Sequence, residues 1–257
     1  MNYKKLKVAI VGCVHGDEII GKKIINALKD LKIKNGSLYF IIANQPALSK
    51  NKRYLKKDLN RSFPGSYNGN AEEKIACSLK SKLNKFDIII DIHATNSNIS
   101  KLAVITRFDS EIKNLLKLIP INKIALIRKK VFGGNELISH VNLGISLEYG
   151  PNKSGKNYKN GLKDIKIILK NLGLLPGKKT IYKCKEVYTV SGLYNVSNNF
   201  KQASYLKNFQ LIKKEQFIGQ INKKKIRSTK NFYPLFLGKG KYKKTLALIA
   251  QKKIIEL

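Results

Sequence analysis

Cysteine is scarce in this sequence: Cys13, Cys77 and Cys184 are far apart and odd in number. With no CxxC pair among them a disulfide framework is not expected, which agrees with a reducing, cytoplasmic location. Cys13 lies inside the first apolar run and reads as a small buried core residue. Long apolar runs are missing too. No stretch of about eighteen apolar residues occurs, which argues against a membrane-spanning helix. The opening MNYKKLKVAI reaches its apolar run within six residues and passes into charged, helix-patterned sequence. That run reads as a core strand and not as the apolar region of a signal peptide. Repeats and low-complexity tracts are absent apart from a bias toward lysine.

Arginine is the other scarce residue, and its scarcity qualifies the charge. The net charge is +35, from 51 basic and 16 acidic residues. Only Arg53, Arg61, Arg107, Arg128 and Arg227 are arginines, leaving 46 lysines of the 51. Nucleic-acid readers rely on arginine for bidentate contacts to bases and phosphates. Here lysine is spread along the chain, with clusters at 50–57, 128–130, 213–225 and 239–244, as in a solvated, lysine-biased surface. No RNA-binding fingerprint, arginine-rich tract or basic amphipathic helix is present. Nucleic acid is expected only as a non-specific, salt-sensitive partner of that surface. The same field would draw small anions toward a cleft.

At 257 residues and 43% hydrophobic, the chain suffices for one large domain, or one domain with a small appendage. Residues 7–14, 37–44, 86–92, 102–106, 124–127 and 144–149 read as strands. Residues 17–31 place Ile20, Ile24, Leu28 and Leu31 on one helical face, and 71–83, 110–119 and 158–173 also carry helical spacing. FDIIIDI (86–92) is too continuously apolar to have a solvated face, as in a parallel strand covered on both sides. Alternating strands and helices predict an α/β fold with a largely parallel sheet flanked by helices. After LLPGKK the pattern changes to short β-like pieces: YKCKEVYTV, FQLIKK, FIGQI and TLALIA. A break at Pro176-Gly177 is therefore expected, with an α/β domain at 1–177 and a small β-rich domain at 178–257.

In open α/β sheets, ligands gather beyond the carboxyl ends of strands. The first strand here ends on VHGDE, with His15 and Glu18. The strand DIIIDIH ends on His93, and GISLEYG carries Glu148 near its end. Two histidines and a glutamate form the ligand set of one class of catalytic zinc site, which keeps a fourth position for water. Singly, each residue has a plainer reading. Glu18 suits the first turn of a helix, against its dipole, and His93 suits a satisfied, half-buried position. Yet the chain has three histidines, and two fall at strand ends, which favours a metal. NKRYLKKDLNRSFPG (51–65) holds two of the five arginines. In a chain that uses lysine elsewhere, arginine points to bidentate carboxylate binding or oxyanion stabilisation. A solvated loop turned by Pro64-Gly65 accounts for Phe63 to Gly65 but not for Asn60-Arg61.

Taken in order, GCVHGDEIIG, ANQPAL…RYLKKDLNRSFPG, DIIIDIH and ISLEYGP resemble the succinylglutamate desuccinylase/aspartoacylase family, zinc hydrolases of a carboxypeptidase-type α/β fold. The resemblance covers residues 7 to about 175, and more loosely NFYPLFLGKGKYK (231–243) of the C-terminal region. It implies zinc held by His15, Glu18 and His93. It implies further that Arg53 polarises the scissile carbonyl, and that Asn60 and Arg61 grip the substrate α-carboxylate. Glu148 would carry a proton from water to the leaving amine. Asp91, two residues before His93 on the same strand face, could orient a ligand. Asp58 could brace an arginine. Both have a structural alternative of equal weight. In aspartoacylase an arginine upstream of the catalytic glutamate holds the substrate's side-chain carboxylate. The comparable stretch here, ELISHVNLG (136–144), has none, and His140 within it reads as a surface residue.

The resulting expectation is a zinc-dependent deacylase acting on the amide bond of a small anionic N-acyl amino acid. A metallocarboxypeptidase acting on peptide C-termini shares the fold, although a β-rich appendage would wall off long peptides. A lysine-rich nucleic-acid-binding protein with a vestigial site is the third reading.

Overall fold

The apolar runs of the first half pair side by side. In the computed structural model, which describes residues 6–151, 154–238 and 244–257, β1 (Lys7–Gly12) lies between β2 (Ser37–Ile42) and β3 (Ile88–Ala94) and is parallel to both. β3 pairs in parallel with β6 (Gly144–Tyr149), and β6 pairs antiparallel with β4 (Leu102–Ile105). β4, β5 (Lys123–Leu126) and β7 (Cys184–Asn195) continue in parallel. β12 (Thr245–Glu256) and β11 (Tyr233–Leu235) close the sheet with antiparallel pairs. The nine strands form one mixed, largely parallel sheet in the order β11-β12-β7-β5-β4-β6-β3-β1-β2.

Both faces of the sheet are covered, as the unbroken apolar strands require. Ile88, Ile90 and Ile92 pack with Ile24 and Leu28 of α1 (Ile20–Leu28), Leu115 of α4 (Ser110–Leu116) and Ile168 of α6 (Gly155–Asn171). On the opposite face Ala9, Val11 and Ile89 pack with Ala76 and Leu83 of α3 (Ala71–Leu83). α3 begins at a capping box: the Asn70 side chain accepts from the Glu72 and Glu73 amides, and Glu73 accepts from the Asn70 amide. Two short helices, α2 (Gln45–Ser49) and α5 (Lys129–Phe132), lie in the connections.

Element ends shift by a few residues, and two expectations are corrected. The helix predicted from residue 17 starts at Ile20, so Glu18 stands in the turn before it. The reading of Glu18 as a first-turn, dipole-facing carboxylate is thereby corrected. FQLIKK forms no strand; Ile212 makes one bridge to Phe232, between Phe209 and Glu215, whose positive φ values of 66° and 62° turn the chain at both sides.

Beyond Gly177 the chain is rich in β-structure and does two things. β7, β11 and β12 extend the main sheet, while β8 (Lys201–Gln202), β9 (Phe217–Ile221) and β10 (Lys224–Arg227) form a separate antiparallel sheet. A separate apolar cluster that includes Phe200, Ile218 and Phe232 lies in this region. The lysines at 239–243, and with them the end of NFYPLFLGKGKYK, lie outside the described residues. Among the described residues no helix is long and apolar enough to cross a membrane.

Candidate metal centre and active-site cleft

β1 connects to β2 on one side, while β3 on its other side connects onward to β4, so the two connections diverge between the carboxyl ends of β1 and β3. Such a switch point leaves a crevice in an open α/β sheet. His15 and Glu18 follow β1 directly, and His93 is near the end of β3. Glu148 of β6 is paired in register with His93, and Ser146 with Asp91. Alternation along the strands places Asp91, His93, Ser146 and Glu148 on one face, opposite Ile90 and Ile92 in the core.

The turn itself needs a glycine. A Cβ on Gly16 would sit 2.3 Å from the backbone of Ala47 and Leu48. Its absence lets the 44–53 segment lie against the turn, where the Gly16 amide donates to the Arg53 carbonyl at 3.1 Å. The contact brings Arg53 to Glu18. This is why GCVHGDE crowds polar residues where a buried strand ends: the turn is built to present them.

His15, Glu18 and His93 are all buried. His15 Nδ1 is 2.9 Å from Glu18 Oε1, His93 Nδ1 is 3.1 Å from Glu18 Oε2, and the two Nδ1 atoms are 3.2 Å apart. One ligand atom from each of the three residues lies within 4.8 Å of the others. Donors bound tetrahedrally to zinc at about 2.0–2.1 Å stand roughly 3.3 Å from one another. Each ring is held from behind: Asp58 Oδ1 accepts from His15 Nε2 at 3.1 Å, and Asp91 Oδ2 accepts from His93 Nε2 at 2.7 Å. With the proton of each neutral ring on Nε2, both Nδ1 lone pairs turn inward beside a carboxylate. That donor set fits a cation such as zinc.

The arginine loop closes around this cluster. Arg53 donates through Nη1 to Glu18 Oε1 at 2.9 Å, and through Nε and Nη2 to Asp58 Oδ2 at 3.2 and 3.1 Å. Arg61 donates to the Asn60 carbonyl at 2.6 Å and lies 4.6 Å over the Phe132 ring. Asn60 Oδ1 accepts from the Leu137 amide at 2.9 Å. His15, Glu18, His93, Arg53, Asn60, Arg61 and Glu148 all line a single cavity of about 400 Å³. Phe236, Leu237, Ala247 and Leu248 from the C-terminal region complete its wall.

Charge inside the cavity is strongly coupled. Burial would raise the Glu18 carboxyl, but the His15 and His93 rings hold it well below the usual range. Burial would lower His93, yet Asp91 and Glu18 push it well above its ordinary value. The cluster thus draws positive charge, whether a proton on His93 or a cation in its place. Asp58 is held low because His15, Arg53 and Arg61 outweigh its desolvation. Glu148 goes the other way. Desolvation and the Glu18 charge raise it to about 6, against His93, His15 and Arg53.

All seven residues singled out from the sequence are brought together. Asp91 and Asp58 both touch ligand-set residues, and Asp58 also braces Arg53. The sequence reading missed that Asp58 contacts His15, and missed Ser146, whose hydroxyl donates to Asp91 at 3.1 Å. It also missed Glu136 and Phe132 as cavity residues. Only register and loop packing reveal these, since nothing in their spacing marks them. His140 is half-buried, bound through Nε2 to the Gly134 carbonyl at 2.8 Å and stacked on Phe63.

Strand order, the covered sheet and a His-Glu-His cluster at the strand ends define a mixed α/β protein with a candidate metal centre in its cleft. Residues 4–152 match the family model of the succinylglutamate desuccinylase/aspartoacylase catalytic domain, and the chain belongs to that family. A probable aspartoacylase of Trichodesmium erythraeum is 28% identical over 116 residues, covering 40% of each chain. An N-acyl-aromatic-L-amino acid amidohydrolase of Xenopus laevis is 28% identical over 172 residues, 58% of this chain and 56% of the relative. The matched part thus spans about half or less of these two relatives. Among solved structures, murine aminoacylase 3 superposes with a TM-score of 0.80 at 20% identity, covering 97% of this chain and 96% of that one. The succinylglutamate desuccinylase/aspartoacylase structure from Rhodobacter sphaeroides gives 0.75 at 15% identity, with 97% and 87% covered.

Proposed function

We propose that the protein is a zinc-dependent deacylase that hydrolyses the amide bond of a small N-acyl amino acid. The observation that carries this reading is the convergence of the His15, Glu18 and His93 donors in one cavity with Glu148, Arg53, Asn60 and Arg61. The likeness to the Xenopus laevis N-acyl-aromatic-L-amino acid amidohydrolase supports the same class of substrate.

His15 and His93 through Nδ1, and Glu18 through its carboxylate, would hold the metal. Zinc bound there supplies Lewis acidity, bringing the ionisation of water toward neutral pH. Arg61 and Asn60 grip the α-carboxylate of the amino-acid half and set the amide across the cleft. Glu148 removes the proton from the attacking water as its oxygen bonds to the carbonyl carbon. The Arg53 guanidinium meets the negative charge that develops on the carbonyl oxygen. Glu148 then delivers its proton to the amide nitrogen as the C–N bond breaks, releasing a carboxylic acid and a free amino acid. On this reading residues 178–257 serve as a wall that limits the cavity to small substrates, which disfavours a peptide C-terminus.

The test is to load the purified chain with zinc, measure its stoichiometry, and assay amine release from a panel of N-acyl amino acids beside C-terminal dipeptides. One zinc per chain and turnover of N-acyl amino acids are expected. No bound metal, or turnover of peptides alone, would overturn the reading.

A further inference from the structure

The segment that lacks an arginine, 136–144, carries a charge of opposite sign into the cavity. Glu136 is 8% exposed and lines the cavity with Asn60 and Arg61. Both of its neighbours are tied to the arginine loop: the Leu137 amide donates to Asn60 Oδ1, and the Asn135 carbonyl accepts from the Phe63 amide at 3.2 Å. Glu136 is therefore fixed beside the residues assigned to the α-carboxylate, on the amino-acid half of the cleft.

Within the protein its carboxylate is met by a hydroxyl and not by a cation. Oε2 accepts from the Ser139 hydroxyl at 3.2 Å, and among the described residues no lysine, arginine or histidine forms an ion pair with it. Arg61, which lines the same cavity, lies over the Phe132 ring, donates to the Asn60 carbonyl and forms no ion pair with Glu136. Buried carboxylates are ordinarily paired, because an isolated charge away from water is costly. The cavity that Glu136 lines also presents Ile127, Phe132 and Ile138, apolar walls suited to a methylene stem, and no lysine among its described residues.

Resting on the deacylase reading, we propose that Glu136 forms a subsite for a cationic side chain, so that the substrate is the Nα-acyl derivative of a basic amino acid such as ornithine or lysine. The methylenes lie on Ile127, Phe132 and Ile138, and the terminal ammonium supplies the counterion that Glu136 lacks. An acidic side chain meets like charge there, and an apolar one leaves the carboxylate unpaired. The lysine-rich surface acts on all anions alike and cannot supply this selection; Glu136 acts inside the cleft.

The experiment uses the zinc-loaded full chain and the free amino acids, which read binding without turnover. Calorimetry compares L-lysine with L-norleucine and L-ornithine with L-norvaline, pairs that differ in the terminal ammonium, with L-aspartate as the acidic control. The basic member should bind at least about tenfold tighter than its apolar partner, and L-aspartate weakest. Glu136→Gln, which keeps an acceptor for Ser139, should bring each pair to within about twofold at unchanged zinc content. Glu136→Asp, which keeps the charge one methylene back, should retain part of the preference. Equal binding within a pair, no binding of basic amino acids at millimolar concentration, or a preference untouched by Glu136→Gln would overturn the proposal. The same ratios should appear in kcat/KM for the Nα-acetyl derivatives. Turnover of none of them alongside an intact binding preference would sink the deacylase reading and leave the subsite standing.

Discussion

Asp58→Asn isolates how one carboxylate organises the site. Asp58 Oδ1 accepts from His15 Nε2 and the Asn60 amide, and Oδ2 accepts from Arg53 Nε and Nη2. An asparagine amide has one oxygen and one NH₂ in the same outline, so no orientation serves both sides. With the oxygen toward Arg53, the NH₂ faces His15 Nε2 and the Asn60 amide. His15 must then accept at Nε2, which moves its proton to Nδ1, the nitrogen that faces Glu18. With the amide reversed, His15 keeps its tautomer, but Arg53 loses two charge-assisted bonds worth roughly 1.5–3 kcal/mol each. The first arrangement costs less, so the loss falls on the metal. Removing such a partner typically weakens metal binding by about 10- to 100-fold, or roughly 1.4–2.8 kcal/mol. Competition with a chromophoric chelator measures it, and the fold should be intact by circular dichroism. A zinc affinity within about twofold of wild type would refute the argument that Asp58 sets the His15 tautomer.

Glu148→Gln should retain zinc and lose turnover by roughly 10²-fold or more; unchanged turnover with full metal removes Glu148 from the chemistry. The acid limb of kcat/KM should lie at or below pH 6, because Glu148 must be ionised to take a proton and a cation beside it only lowers its value of about 6. A limb above pH 7 would contradict this. Arg61→Lys keeps the charge but loses the planar fork, so KM should rise with the metal still bound. Arg53→Lys should lower kcat more than it raises KM, since Arg53 meets charge that develops in the transition state. Both variants behaving as wild type would sink the clamp assignment. Lys185, buried and donating to the Ile119 and Ile121 carbonyls, is pushed down by desolvation to about 8. Its folded value lies below its unfolded one, so between about pH 8 and 10.5 the unfolded chain binds more protons and stability rises with pH. Thermal midpoints across that range should climb less steeply for Lys185→Met, and parallel slopes would exclude the linkage.

The central strands were readable because burial on both faces leaves a continuous apolar signature. GISLEY matches β6 end to end, and AEEKIACSLKSKL matches α3. The helix after β1 was read three residues too early, since Asp17 and Glu18 mimic first-turn acids while the backbone is still turning. FQLIKK looked like a strand because Ile212 packs in the cluster of the small sheet and Phe209 against Tyr188 of β7, with no ladder of its own.

For the site, residue type and order within the chain were enough to select His15, Glu18, His93, Arg53, Asn60, Arg61 and Glu148. Chemistry restricts which side chains bind metal, move protons or fork onto carboxylates, and these stand out against a lysine-rich background. What the linear chain does not carry is which strand lies beside which. That β6 sits against β3, putting Glu148 beside His93, is a matter of sheet order across 55 residues of sequence separation. The same holds for Asp58 reaching His15 and for Glu136 entering the cavity, because loop packing and not spacing decides which polar atoms share a cleft. Sequence named the candidate side chains; tertiary structure alone set their distances and their partners and put Glu136 in the same cavity.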